Sequence, residues 1–252
     1  MNEAQLRQEL ARLSRRTWER GWVANHDGNL SVRLKRGRLM CTPTGLSKGE
    51  LSADMMLVVD ETGKVLSGRL RPFSELNLHL AIYHARPDVG AVLHAHPPTA
   101  TGFGVAGVAL DRPFLPEAVV SLGPAIPLVP LCRPGEEAVQ AIAPYLDEHD
   151  VLMLAGNGVV SAGVNLEMAY LRMELVEHLC RIALVARQLG GINALPDTML
   201  RPLLDARTRA GLGPEARGGT TTLPAGATER APSRELEQLV RQEIQRVLRD
   251  GR

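Results

Sequence analysis

The stretch that most constrains this chain is GAVLHAHPPTATG, residues 90–102. Ala91–Leu93 are apolar, which anchors a strand over Gly90–His96 in a core, and Pro97-Pro98 stops it. Side chains alternate along a strand, so His94 and His96 project to the same face at its end, about 6–7 Å apart at the backbone. Two imidazoles so placed can converge on one metal ion. The competing reading is two incidental histidines at a strand terminus, and the pair alone does not decide between them.

Glu75 sits in RPFSELNLHLAIYHARPD, in the first turn of a helix predicted over Ser74–Ala85 with Ser74 as N-cap, and that helix leads directly into the histidine strand. A carboxylate near a helix N-terminus is favoured in its ionised form. Read alone, it is an ordinary first-turn glutamate. His79 follows one turn later and His84 points elsewhere, and both read as structural. Three short turns rich in glycine and small polar residues complete the pattern: Asn25–Asn29, Thr42–Ser47 and Phe73-Ser74. Backbone N–H groups and hydroxyls in such turns can cradle an anion.

Elsewhere the spacing predicts an amphipathic opening helix over 3–20, carrying Leu6, Leu10, Leu13 and Trp18. Hairpins follow over 30–40 and 55–66, then strands over 126–131, 151–154 and 159–161. Helices are predicted over 135–146 and 165–189. The chain has 252 residues and a formal charge of +1, which gives no reason to expect a nucleic-acid partner. The longest apolar candidate for a membrane span, 118–132, is broken by Gly123, Pro124, Pro127 and Pro130. The charged N-terminus is no secretion signal. Cys41, Cys132 and Cys180, odd in number and far apart, read as reduced thiols of a cytoplasmic protein. The three lysines, Lys35, Lys48 and Lys64, lie in polar, turn-like stretches, which weighs against a desolvated Schiff-base lysine.

GNLSVR, TPTG, SE, HAHPPTA and a Gly-x-Gly turn before a long helix occur in that order and spacing. Over residues 5–190 this resembles the class II aldolase/adducin family, which includes fuculose-phosphate aldolases and ribulose-phosphate epimerases. The resemblance implies an α/β fold: a single αβα layered domain around a mainly antiparallel sheet, assembled as a homotetramer with active sites at subunit interfaces. It implies Zn²⁺, or another divalent metal such as Mn²⁺, held by His94 and His96, with Glu75 as acid/base. It places Gly28, Asn29, Thr44, Gly45 and Ser74 in phosphate-binding turns.

The chain departs from the family pattern in three places. Asn157 stands where a third histidine ligand is usual. Either it ligates through its amide oxygen, or another group such as Glu75 completes the site, or metal binding is lost. Phe73-Ser74 replaces a Ser-Ser pair. The family's leaving-group tyrosine has no counterpart in FLPEAVVSLG, where Glu117 is either a substitute acid or a surface residue.

Composition divides the chain into a domain over 1–205, a Gly/Pro/Thr-rich linker over 206–232 and an amphipathic tail helix over 233–252. The tail resembles peptides that dock enzymes on bacterial microcompartment shells. Its alternatives are packing on the domain and incidental amphipathicity. The expected function is a metal-dependent aldolase that cleaves a phosphorylated ketose through an enediolate. The alternatives are epimerisation, dehydration or decarboxylation on the same site, or an adducin-like interaction protein.

Overall fold

Asn2 starts the first element. Its side chain accepts the Gln5 amide and the Gln5 side chain accepts the Asn2 amide, a reciprocal cap at the head of α1 (Glu3–Glu19). The computed structural model describes residues 1–223. After α1 come β1 (Asn29–Arg33), β2 (Arg38–Cys41), β3 (Leu57–Asp60), β4 (Val65–Ser67) and α2 (Leu76–Ala85). Next are β5 (Ala91–Ala95), α3 (Pro98–Val105), α4 (Pro116–Ser121), β6 (Leu128–Val129) and α5 (Glu136–Ile142). β7 (Val151–Leu154), β8 (Val159–Gly163), α6 (Leu166–Gln188) and α7 (Asp197–Arg209) complete the series.

The strands form one sheet in the order β4-β3-β2-β1-β5-β8-β7-β6. Every neighbouring pair is antiparallel except β6 with β7. Alternation along the strands separates two cores. Leu30, Val32, Met40, Val58, Leu93 and Met153 face α1, α3 and α6, and meet Leu10, Leu13, Phe103 and Met173. Leu39, Cys41, Leu57, Val92, Leu152 and Val160 face α2 and α5, and meet Leu76, Leu80, Ile82 and Ile142. The αβα layers expected from the family resemblance are therefore present. Fully burying one such leucine contributes about 1.5–3 kcal/mol.

Several elements differ from the sequence reading. The 126–131 strand shrinks to Leu128–Val129, because Pro127 and Pro130 can donate nothing to a ladder. Trp18 leaves the apolar stripe and is 51% exposed beside Gly49. Helices α3, α4 and α7 carry weak local signals. The first turn of α3 is capped from far along the chain, where the Glu177 carboxylate of α6 accepts from Thr99 N, Thr99 Oγ1 and Ala100 N at 2.9–3.0 Å.

The reading of 206–232 as a linker needs correction in its first part. Helix α7 runs to Arg209, and Arg207 is buried, donating to Val120 O at 2.8 Å and to Asp150 Oδ2 at 3.2 Å. Arg217 donates to Asp147 O, and Thr222 to the Glu148 carboxylate. Polar anchors hold this segment, and a count of apolar residues does not register them. The remainder of the linker and the amphipathic helix of 233–252 lie outside the described residues.

Candidate active site

Strand β5 sets the geometry. Ala91, Leu93 and Ala95 enter the core under α6, so Val92 and His94 face α2. In the ladder Asn29 pairs with His94, and residues directly opposite in an antiparallel pair share a face. Glu75 occupies the N-cap position of α2 on that same face. Three segments distant in sequence thus bring Asn29, Glu75 and His94 together.

The Glu75 carboxylate accepts from Asn29 Nδ2 at 3.0 Å and from Asn157 Nδ2 at 2.8 Å, and its Oε2 lies 3.3 Å from His94 Nε2. Burial works against ionisation of Glu75. The two amide donors, together with His94 whenever its ring carries a proton, outweigh it, so the carboxyl is held below its ordinary range. His94 is buried, and burial holds its imidazole below the usual value and therefore neutral at pH 7. Its Nδ1 lies 3.0 Å from Val159 O, an acceptor only, which places the proton on Nδ1 and the lone pair on Nε2. His96 turns its Nδ1 toward Asp27 Oδ2 at 3.4 Å, and its Nε2 lies 3.2 Å from His94 Nε2.

At that distance a His96 Nε2–H donates to the His94 Nε2 lone pair; with the His96 proton on Nδ1 instead, toward Asp27, two lone pairs face each other and a shared cation satisfies both. Two nitrogens on one tetrahedral zinc ion, with bonds of about 2.0–2.1 Å, stand about 3.3 Å apart. The histidine pair therefore fits one edge of a cation's coordination shell, with the Glu75 carboxylate beside it. Among the described residues no three histidine, cysteine, aspartate or glutamate side chains form a complete cage. The pair leaves open positions of the kind a catalytic metal keeps for water or substrate. Asn157 commits its Nδ2 to Glu75, which leaves its Oδ1 as the only atom it can offer a cation.

A solvent-open cleft of about 780 Å³ runs from Ser74, Glu75 and Asn157 past Asn77 to the 129–135 loop. Ser74 is exposed at its rim. Thr44 and Gly45 lie in the turn after β2, which a Pro43–Pro72 bridge and Thr44 N on Arg71 O (3.0 Å) tie to the segment before Glu75. Gly28 acts through close approach: at φ +69°, a Cβ there would meet Val23 Cγ1 at 2.4 Å and His94 O at 3.2 Å. Gly158 is similarly constrained, since its Cβ would fall 2.4 Å from both Ala95 O and His96 Cδ2. Glu117 is not brought to Glu75. It is exposed in the first turn of α4, lining a separate cleft with Met168, Leu171 and His178.

Two residues near the site were not singled out from the sequence. Asp27 faces His96 from the 24–28 turn. Lys48 corrects the reading of the lysines, because it is 1% exposed and its Nζ donates to His26 O at 3.1 Å and Leu46 O at 3.2 Å. Burial pulls its amine down to about 8. No local signal marks it, since a polar turn gives no warning that two loops fold over it.

The family model of the class II aldolase and adducin N-terminal domain matches residues 8–184. The 3-oxo-tetronate 4-phosphate decarboxylase of Escherichia coli (strain K12) is 34% identical over 188 residues, covering 73% of this chain and 88% of that protein. The L-fuculose phosphate aldolase of Methanococcus vannielii is 34% identical over 174 residues, covering 69% and 93%. Among solved structures, an L-fuculose 1-phosphate aldolase matches with a TM-score of 0.75 at 25% identity, over 80% of this chain and 95% of that one.

Proposed function

The chain belongs to the class II aldolase and adducin family, and from that premise we propose that it is a divalent-metal-dependent carbon–carbon lyase, decarboxylating a phosphorylated 3-oxo sugar acid. The observation that carries the reading is the pair of Nε2 atoms 3.2 Å apart beside the amide-held Glu75 carboxylate. A divalent cation held by His94 and His96 supplies Lewis-acid polarisation of the substrate carbonyl, and two imidazoles with a carboxylate favour Zn²⁺ over Mn²⁺.

The substrate class follows from bond bookkeeping. Loss of CO₂ from a 3-oxo-tetronate 4-phosphate breaks the C1–C2 bond and leaves its electron pair on a three-carbon enediolate phosphate. Cleavage of the C3–C4 bond of a ketose 1-phosphate leaves the same fragment. One site can therefore stabilise what both reactions share. They differ in the departing group, because CO₂ leaves needing no proton transfer, whereas an aldehyde leaves only when its hydroxyl is deprotonated. Glu117 stands apart from Glu75 and Asp27 is turned to His96 Nδ1, so among the described residues Glu75 is the carboxylate that lines the cleft. That simpler demand, together with the decarboxylase relative, favours decarboxylation. Glu75 Oε2 relays a solvent proton to C2, held in place by Asn29 and Asn157. Ser74 and the 43–45 turn receive the phosphate.

The same reading assigns a homotetramer acting in the cytoplasm. Among the described residues no helix is long and apolar enough to cross a membrane. Docking of 233–252 on a microcompartment shell rests on sequence pattern alone, and loss of shell co-purification on deleting 224–252 tests it.

The function is tested with Zn²⁺- or Mn²⁺-loaded protein, following CO₂ and aldehyde release separately from 3-oxo-tetronate 4-phosphate and L-fuculose 1-phosphate. The expected result is one CO₂ per dihydroxyacetone phosphate from the first, with both activity and bound metal lost in His94→Ala/His96→Ala. Aldehyde release from the ketose with no CO₂ from the acid replaces decarboxylation by aldol cleavage. No bound metal and no turnover overturns the lyase reading in favour of an adducin-like interaction role.

A further inference from the structure

The buried ammonium of Lys48 is the least expected charge in the molecule. Placing an amine in the interior is costly unless hydrogen bonds or a counter-charge compensate it. No carboxylate lies within ion-pair distance of it among the described residues, and its two partners are backbone carbonyls. Those carbonyls belong to different turns: His26 O to the 24–28 turn, Leu46 O to the turn after β2. A single side chain therefore clamps together two of the glycine-rich turns that border the site.

The 24–28 turn is fixed from its other side as well. Asp27 N donates to Ala24 O at 3.0 Å, and Ala24 N donates to Asp27 Oδ1. With Oδ1 so engaged, Oδ2 is left facing His96 Nδ1 at 3.4 Å. His96 is the less constrained member of the histidine pair. His94 is locked by Val159 O inside the sheet, whereas His96 lies one residue past the end of β5 and its ring is 30% exposed. What orients the His96 ring comes from the 24–28 turn and from Gly158 packed against its Cδ2 side.

We propose that Lys48 is a positioning residue for His96: its ammonium fixes the carbonyl of His26, and the turn so held presents the Asp27 carboxylate to His96 Nδ1, which keeps the proton on Nδ1 and aims the Nε2 lone pair beside that of His94. The proposal rests on the reading of His94 and His96 as metal ligands. A carboxylate behind a ligating histidine fixes its tautomer and raises its basicity, and losing one typically costs about 10–100-fold in metal affinity. Lys48 acts on the 24–28 turn through the His26 carbonyl and on Asp27 through its charge, so both routes to His96 pass through Asp27. Its effect must therefore vanish when Asp27 can no longer act.

The test is a Co²⁺ titration, read by the cobalt d–d absorption and by competition with a chelator. It compares wild type, Asp27→Asn, Lys48→Met and the double variant, with folding checked by circular dichroism. Asp27→Asn keeps an oxygen for Ala24 N and removes the charge behind His96. Expected is a loss of about 10–100-fold in Co²⁺ affinity for Asp27→Asn, a smaller loss for Lys48→Met, and a double variant no weaker than Asp27→Asn alone. Affinity within twofold of wild type in Asp27→Asn overturns the proposal, even if Lys48→Met fails to fold. Losses that multiply in the double variant also overturn it, because Lys48 then acts independently of Asp27. Wild-type protein that binds no Co²⁺ overturns the metal reading and this inference with it, an outcome distinct from variants that bind as well as wild type.

Discussion

The molecule contains two buried polar clusters whose hydrogen-bond accounts close differently. Around Asp150 nearly every valence is met. Its Oδ1 takes Arg86 at 2.8 Å, and its Oδ2 takes Arg172 at 2.9 Å and Arg207 at 3.2 Å. The spare guanidinium hydrogens go to Asp88, Leu146 O, Ala162 O and Val120 O. Among the described residues of this cluster, Arg172 Nε is the buried nitrogen left without a partner. Around Glu75 the account stays open. The Nε2 atoms of His94 and His96 have only each other as nitrogen partners at 3.2 Å, and Asn29 Oδ1 and His79 Nε2 have no partner. Unpaired buried polar atoms cost stability. The Asp150 cluster ties the α2 terminus, the approach to β7, α6 and α7 into one body. The Glu75 cluster leaves polar atoms unpartnered beside a cleft.

The sharpest way to break this contrast is one substitution in each cluster. Glu75→Gln is expected to lower kcat by about 10²–10⁴ while leaving the unfolding midpoint near wild type, since the Gln oxygen can accept from one asparagine amide and its NH₂ can donate to the other once that amide flips. Asp150→Ala is expected to do the reverse. It strands three buried guanidinium groups and should cost about 3–5 kcal/mol in denaturant unfolding, with kcat per folded molecule little changed. Equal stability losses from the two variants would erase the distinction.

Acidification sharpens the comparison at a smaller scale. Burial pulls the His79 imidazole down to about 3, against about 6.5 in an unfolded chain. Between these values the unfolded state binds a proton that the folded state does not, so stability falls as pH falls. From pH 7 to pH 5 this group should cost about 2 kcal/mol. His79→Gln should remove that part of the slope in urea titrations at pH 7, 6 and 5. Asp150 behaves differently. Burial raises its carboxyl, but Arg172, Arg86 and Arg207 outweigh it and hold it low. Its contribution is present above the ordinary carboxylate range and is lost only as pH falls through the lowered value. A wild-type slope unchanged by His79→Gln would show that His79 is not the acid-sensitive group of the open cluster.

The two clusters were also unequally legible in the sequence. Strand alternation placed His94 and His96 on one face, and a short helix beginning near Glu75 placed the carboxylate close by. Both are local rules acting within a dozen residues. Asp27, by contrast, looks like any turn aspartate, and its role arises only when β1 pairs with β5. Asp150 lies between a helix and a strand, and its partners come from positions 86, 172 and 207. No period or spacing links these residues. The first part of the 206–232 stretch reads as a linker for the same reason, since Arg207 is buried through charge pairing in a stretch whose composition reads as solvated. Apolar periodicity reports which face meets the core, but it cannot say which arginine meets which aspartate.

Glu117 belongs to neither cluster, which makes it the mildest and most discriminating substitution. It is exposed in the first turn of α4, whose buried side carries Val119 against Leu200 and Leu204 of α7. Glu117→Gln removes a charge from a helix N-terminus, worth about 0.3–1 kcal/mol when exposed. It should leave kcat within about twofold, measured under saturating substrate with metal present. A fall of tenfold or more at an unchanged unfolding midpoint would mean that α4 reaches a reacting substrate by a route absent within one chain. The route then available is through a second copy, with Glu117 of one subunit serving the Glu75 site of its neighbour. Mixing Glu117→Gln with Glu75→Gln subunits would decide it. Each variant lacks one of the two groups, so shared sites recover activity in the mixture and sites confined to one chain do not.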